Sequence, residues 1–475
     1  ESWYHPLTGV EHVNYNLSYQ KESAVINQVI LGTYKASLGQ GLVLHSGYNS
    51  FKSKFIHSGN SFSKWKVRPQ SSNEESSFLQ GMAVCGHLSN LSFSIFTSMN
   101  KFDATLNEDS TGQFFSSVGS SGMHRNQLEL SKKDKVKVKD IGLSVSFERD
   151  NFNLSWNQLF STLDAPFKRT ENYYNSEYLT GDQFYAQSLD FNYLWKKVCF
   201  FGELAADKGF DVAAIAGASS SIAEIINYRV LYRNYSRKFQ SFRGKSYQQN
   251  GQLRNEQGLV VQIDGRLGTN CSYHAYYDFY LFPEMSYQRR FIGTGKEQGV
   301  RLSYGNRKGF QCSAKIKFKE RQKNVENGKS YNQVNEKRIS CRFNYRLQIH
   351  ENFRVGGQIE YSYYNSNSTS SNGVLFFQEV KHTVNKFTYG PRITLFSIDD
   401  YNARIYVYEP SLKFSSPFVF FKDKGLSFST KLKYQVDEHF TLAIKYYYTL
   451  LQDDVLLLPQ LTPKSGVNIQ CSVKF

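Results

Sequence analysis

The chain has 475 residues and is poor in several things. No run of about 18 apolar residues occurs, which excludes a membrane-spanning helix, and the mean hydropathy is −0.50. With 9 Pro and no long low-complexity stretch, it offers no linker at which a chain of this length would divide. The 6 Cys, at 85, 199, 271, 312, 341 and 471, include no C-x-x-C pair and no Cys/His cluster with metal-ligand spacing, so no metal site is expected. Several stand at apolar strand positions, where a thiol behaves as a small hydrophobe. No G-x-S-x-G, H-E-x-x-H or P-loop is present. His45, His57 and His124 are scattered. Asp399–Asp400 and Asp453–Asp454 fall in turn-like contexts, where Asp serves backbone hydrogen bonding. Neither a catalytic residue nor a cofactor is expected, so the chain is read as a non-enzyme. The absence of a blade-length repeat argues against a propeller.

What is abundant is aromatic: 33 Tyr and 38 Phe against 4 Met and 4 Trp. That load suits strands and the aromatic girdles of membrane barrels. The apolar residues alternate. Val467, Ile469, Cys471, Val473 and Phe475 take one face, and Asn468, Gln470, Ser472 and Lys474 the other. The same period recurs at Phe353–Tyr363, Ile339–Leu347, Phe440–Tyr448, Ile141–Phe147 and Phe152–Trp156. Period two puts neighbouring side chains on opposite faces. Repeated in ten-residue segments, it predicts an all-β chain, a transmembrane antiparallel β-barrel of roughly 20–22 strands, with residues 1–475 forming one domain. Tight turns are expected near Leu88–Asn90, Glu148–Asn151, Gly268–Asn270, Gly305–Gly309 and His350–Asn352, and long external loops at 46–77, 103–136, 163–183, 237–256 and 320–336. Residues 210–226 are read as two short strands about Ser219–Ser221, with a helix as the alternative their Ala content allows.

The formal net charge is +16, which suggests an acidic partner: nucleic acid, anionic lipid or an anionic solute. In the C-terminal half the polar strand positions are basic. Arg301, Lys315, Lys317, Arg338, Arg342, Arg346, Arg354, Arg392, Lys431 and Lys433 are the candidate anion-binding residues of a lumen. Arg266, Lys319, Lys386, Lys445 and Lys474 make fifteen, against Asp264, Asp278 and Glu360. Inward charge avoids the cost of about 2–4 kcal/mol for Arg or Lys at mid-depth on a lipid face, and rings of such residues favour anions. The same cations could instead pair with a plug, a neighbouring strand or lipopolysaccharide. Tyr276, Tyr280 and Tyr447 are candidate stacking surfaces for single-stranded nucleic acid.

Several stretches resemble one family, the large outer-membrane barrels of Bacteroidetes known as helix-hairpin-helix domain-containing or competence-related proteins. They are Leu38–Leu44 (LGQGLVL), Phe102–Thr105, Ser121–Arg125, Phe201–Ala205, Tyr232–Tyr235, Asn255–Gly258, Asp278–Tyr280 with Pro283, and Ile405–Pro410 (IYVYEP). The resemblance implies an outer-membrane barrel with a part in DNA uptake. It also implies a helix-hairpin-helix segment that these residues do not contain, so that segment is expected to be cleaved, left out or missing from this member. The start at Glu1 fits a removed export signal or a shortened chain. A final aromatic, here Phe475, is a trait of outer-membrane barrels read by their assembly machinery. Within the matching stretches, Gly39 and Gly41 would let a strand bend. Glu203 is expected to pair with Arg229 or Arg233. Pro410 should end a strand.

Two functions are carried forward. The first is a basic-lumened conduit in the bacterial outer membrane for DNA or another anionic solute. The second is a structural or accessory barrel in a multi-protein secretion, assembly or uptake complex. Outer-membrane lipid, the barrel-assembly machinery and other outer-membrane or periplasmic subunits are the partners these readings imply.

Overall fold

The computed structural model describes residues 13–22, 24–46, 66–70, 77–110, 112–119, 124, 127–168, 179–223, 225–285, 290–306, 309–327, 330–367, 369–413, 418–453 and 460–473. They are nearly all strand. Twenty strands of ten residues or more occur among them, with one short helix, Gln127–Ser131, and one 3-10 turn, Tyr401–Ala403. The fold class is that of an antiparallel transmembrane β-barrel, as the alternation predicts. The described residues form two compact units. The first comprises Glu1–Ile222, Asn227–Val261 and Tyr280–Gly293; the second comprises Ala223–Ile226, Gln262–Phe279 and Thr294–Phe475.

In the first unit consecutive strands pair antiparallel from Asn16–Gln20 through Val212–Ile222, with two interruptions. Ile26–Ala36 pairs with Leu79–Leu88 as well as with the short strand Val67–Pro69 that lies between them. Leu91–Phe102 skips the small hairpin Ala104–Asp109/Gly112–Val118 and pairs with Val136–Arg149. In the second unit the ladder runs unbroken from Gly293–Gly305 to Gln460–Val473. The expected turns at Leu88–Asn90, Glu148–Asn151 and His350–Asn352 close tight hairpins. Residues 210–226 are neither two short strands nor a helix: one strand, Val212–Ile222, runs through Ser219–Ser221, and the next begins at Ile226.

Two loop expectations need correcting. Residues 320–336 are not a loop: Phe310–Asn327 and Ser330–His350 pair along their whole length. Their polar sequence hid the strand because both faces there are polar, so the period-two contrast vanishes. Residues 103–136 contain the small hairpin and the helix rather than only loop. Parts of the loops 46–77 and 163–183 lie outside the described residues, as do His57, Arg125, Asp454, Lys474 and Phe475.

Each ladder has one apolar exposed face and one polar face. On Thr369–Val384 and Phe387–Ile398, Val374, Phe376, Ile393 and Leu395 are exposed, while Leu375, Phe377, Phe396 and Ile398 are buried on the other side beside Glu379 and Arg392. Only a face meeting lipid rewards that arrangement, since large apolar side chains left in water forfeit about 1.5–3 kcal/mol each. Placing an arginine at Ile393 should therefore cost about 2–4 kcal/mol of stability in lipid vesicles. The same residue placed at Asn468, which continues the polar row of Lys445, should cost under about 1 kcal/mol. Equal costs in a denaturant titration would reverse the assignment of faces.

Candidate functional site

The polar face of the first unit is covered by its own chain. Residues 38–44 leave the strand Ile26–Ala36 and bury Leu38, Leu42, Val43 and Leu44 against Ile30, Tyr34, Leu79, Phe201 and Leu231. Residues 236–256 join them through Phe239, Tyr247 and Leu253. This second segment, expected to be an external loop, instead packs on the polar face.

Strand carboxylates hold both segments. Glu203 Oε2 accepts from the amides of Gln40 (2.6 Å) and Leu42 (3.1 Å). Gly39 takes φ +50°, and a Cβ there would come within 2.7 Å of Glu203 Cδ, so glycine lets the turn wrap the carboxylate. Of the two arginines expected to pair with Glu203, Arg229 and Arg233, the second is engaged elsewhere: Arg233 Nε donates to Glu256 Oε1 at 2.7 Å, with both side chains fully buried. Glu256 also accepts from the amides of Gln249 and Asn250 at 2.7–2.9 Å. Arg243, from the inward segment, reaches Asp140 at 2.5 Å. Charge-assisted bonds of this kind are roughly twice as strong as neutral ones. A cavity of about 1160 Å³ remains. It is lined by Ser144, Ser146, Asp190 and Lys66, whose ammonium donates to Ser144 Oγ at 2.8 Å.

The predicted basic residues gather on the polar face of the second unit, and much of their charge is matched. Lys317 and Lys319 share Glu297 at 3.0 and 3.5 Å. Arg338 meets Glu336 at 3.1 Å, and Arg342 meets Glu360 at 2.7 Å. Arg392 pairs with Glu379. Of these acids only Glu360 stood in the sequence count. Glu297, Glu336 and Glu379 share the parity of the cations beside them and were legible on that ground, although Glu336 lay in the supposed loop.

Backbone carbonyls match more of it. Residues 399–413 and 418–421 fold back over the polar face as the 3-10 turn and a strand pair, Ile405–Tyr408 with Phe418–Phe421. Ile405, Val407 and Phe421 pack on Leu375, Phe377, Phe396 and Ile398. Arg342 donates to the Tyr406 carbonyl at 3.0 Å, Arg392 to that of Tyr408 at 2.7 Å, and Lys431 to that of Ser411. Lys445 and Glu409 form a buried pair at 2.5 Å. The strand ends at Tyr408, two residues before Pro410, as expected. Asp400 caps the 3-10 turn through the amides of Asn402 and Ala403. Burial pushes its carboxyl up, but the Ser371 side chain and the hydrogen bonds from Asn402 and Ala403 outweigh burial and hold it below the usual carboxylate range. Its contribution is therefore present above the ordinary carboxylate pKa and is lost as pH falls through the lowered value.

Arg301, Lys315, Arg346, Arg354 and Lys433 are different. None forms an ion pair with a carboxylate among the described residues, and the same holds for Lys381, which the sequence reading missed. Lys315 stands opposite both Arg301 and Arg342. Arg354 stands opposite Lys381. The register then sets Lys381 opposite Gly390, and Gly390 opposite Lys431. Lys381 interacts electrostatically with Arg354, Lys433 and Arg346, and Lys431 with Lys381 and Lys433.

The remaining candidates have local roles. His124 Nε2 meets Asp103 at 3.0 Å. His45 bonds Ser37 Oγ at 3.0 Å. Asp399 accepts from the Asn372 amide at 2.7 Å. Tyr280 is buried, Tyr276 is half-buried with its hydroxyl donating to Glu297 at 3.0 Å, and Tyr447 is partly exposed. The six cysteines are free thiols.

No family model matches the chain, and no curated protein matches it. Among solved structures it is similar to the ferric-catecholate import receptor Fiu from E. coli K12, with 9% identity, a TM-score of 0.49, and coverage of 97% of this chain and 79% of that one. It is also similar to the FrpB iron transporter from Neisseria meningitidis, with 8% identity, a TM-score of 0.42, and coverage of 95% and 80%. A third is OmpT of Vibrio cholerae, with 7% identity, a TM-score of 0.33, and coverage of 73% and 98%. Likeness at this level carries no cargo from those proteins to this chain.

Two tests follow from the anchoring contacts. Replacing Lys445 by methionine leaves the buried Glu409 carboxylate uncompensated and should cost about 3–5 kcal/mol, whereas the double replacement Lys445→Met/Glu409→Leu should return most of it. Denaturant unfolding in detergent measures both, and a cheap single variant would mean that the ion pair does not hold the two inward strands. In the first unit, hydrogen exchange at the Gln40 and Leu42 amides should be slow and should speed by at least about tenfold in Glu203→Ala. Fast exchange in the unaltered protein would show that the carboxylate does not hold residues 38–44.

Proposed function

We propose that the chain is a transport-type barrel of a bacterial outer membrane, and that the basic face of its second unit is a path for anionic solute. The observation that carries this reading is the set of cations that form no ion pair among the described residues, Arg346, Arg354, Lys381 and Lys433, beside Lys431; the Glu379 carboxylate near Arg354 and Lys381 is already paired with Arg392. Like charges in adjacent register repel one another, and a fold gains nothing from that placement unless counter-charge arrives from outside. The connections at that end, 306–309, 351–352, 385–386 and 436–439, are all two to four residues long, whereas the opposite end mixes the short 328–329 and 367–368 with the longer 399–422 and 454–459. Short connections of this kind mark the periplasmic rim in such barrels. Arg301 with Lys315, then Arg346, then the rim cluster, would form a graded series of cations along the strands. Rings of such residues select anions. DNA is the specific anionic polymer that the family resemblance implies.

A second reading has its own observation. The polar face of the first unit is filled by anchored chain, which suits an accessory barrel that conducts nothing and is held by other subunits.

Current through a planar bilayer separates the two. The purified chain under a salt gradient should show a reversal potential of anion-selective sign. The triple change Arg354→Glu/Lys381→Glu/Lys433→Glu should lower the anion-to-cation permeability ratio severalfold. An unchanged ratio would remove the path from these residues. A silent bilayer with correctly folded protein would favour the accessory reading.

A further inference from the structure

The strand pair Ile405–Tyr408/Phe418–Phe421 has a second face. Ile405, Val407 and Phe421 use one side to grip the sheet. The other side carries Tyr406, Tyr408, Phe418 and Phe420, with Tyr401 from the adjoining 3-10 turn, and all five are 46–60% exposed. Their rings lie against one another: Tyr408–Phe418 at 6.0 Å, Tyr406–Phe420 at 5.9 Å and Tyr401–Phe420 at 6.1 Å between centroids. Arg404 closes the row, its guanidinium 3.9 Å above the Tyr401 ring and its Nε donating to the Tyr406 hydroxyl at 3.0 Å.

Lipid does not account for this face. The strand pair covers the polar side of the ladder, opposite exposed Val374, Phe376, Ile393 and Leu395, so its aromatic side is turned to water. A contiguous aromatic surface left in water marks a contact site. The charges that could meet a ligand on this face are Arg404 within the row and the exposed Lys413 at its end; Arg342 and Arg392 behind the strand pair are matched by Glu360 and Glu379, and Asp399 and Asp400 stand just before Tyr401 at the other end.

We propose that this face is a stacking platform for an anion that carries planar rings, of the chemical class of a single-stranded oligonucleotide. The rings would lie on Tyr406, Tyr408 and Phe420, and the negative charge would face Arg404 and Lys413. Ring stacking is sequence-tolerant, because every planar ring offers a π-face, and each stacked ring contributes about 1–3 kcal/mol. The platform rests on the anionic reading above but adds a demand that charge alone does not make.

An abasic oligonucleotide isolates that demand, since it keeps the phosphates and lacks the rings. Anisotropy of a labelled thymidine oligonucleotide and of an abasic one of equal length would be measured on the full chain in detergent. The thymidine chain should bind more tightly. Tyr406→Ala/Phe420→Ala should weaken it on the order of 5- to 100-fold and leave the abasic chain unchanged, while Phe420→Trp should keep the binding and so exclude a folding artefact. The triple charge reversal should weaken both oligonucleotides. Equal binding of the two by the unaltered protein, binding of neither, or indifference to Tyr406→Ala/Phe420→Ala would overturn the platform. The anionic path would survive the first and third of these outcomes wherever abasic binding still falls with charge reversal.

Discussion

A strand that crosses lipid can keep charge on only one of its faces, and everything else in this molecule follows from how that face is neutralised. The backbone is satisfied by neighbouring strands, so it imposes no further demand. Side-chain charge is not satisfied by pairing alone, and an uncompensated ion removed from water costs several kcal/mol. The two units answer in complementary ways. In the first, wall carboxylates such as Glu203 and Glu256 accept from backbone amides of inward segments. In the second, wall cations such as Arg342, Arg392 and Lys431 donate to backbone carbonyls of the segment that folds back. The backbone serves as counter-charge of either sign.

The same logic sorts the basic residues by role. A cation with a carboxylate or a carbonyl within reach is committed to the fold, and removing it leaves a buried partner exposed to the full desolvation cost. Arg392 is of this kind: it joins Glu379, the Tyr408 carbonyl and, at 4.0 Å, the Phe377 ring. Lys381 and Lys433 are of the other kind. Substitution at the first set should be read as a question of stability, and at the second as a question of function.

How far the sequence reveals this depends on the range of each interaction. Strand identity is local, because the alternation at Phe353–Tyr363 or Phe440–Tyr448 is written in consecutive residues, and it was legible. Where both faces are polar, as at 320–336, the contrast disappears and a strand reads as a loop. Lys381 was missed although its parity matches Glu379, because His382 and Thr383 beside it blur the alternation. The partners of Glu203 could not be read at all. They lie more than 160 residues away along the chain and are backbone amides, which carry no side-chain signature. Gly39 and Gly41 were the only local trace, and they read equally as a bend.

The family-like stretches gain a physical explanation from this. LGQGLVL is the segment that wraps Glu203, and Glu203 itself lies in the stretch Phe201–Ala205. IYVYEP supplies the strand whose carbonyls meet Arg342 and Arg392 and the carboxylate that meets Lys445. Asn255–Gly258 holds Glu256, and Gly258 leaves room for the Arg233 guanidinium, which a Cβ there would meet at 2.5 Å. Four separate stretches thus carry the contacts that fix inward chain to the polar face, rather than being strand interiors chosen for lipid. Covering that face is a requirement of the fold in its own right. The cations it leaves uncovered, and the aromatic row turned away from the sheet, are what that requirement does not explain.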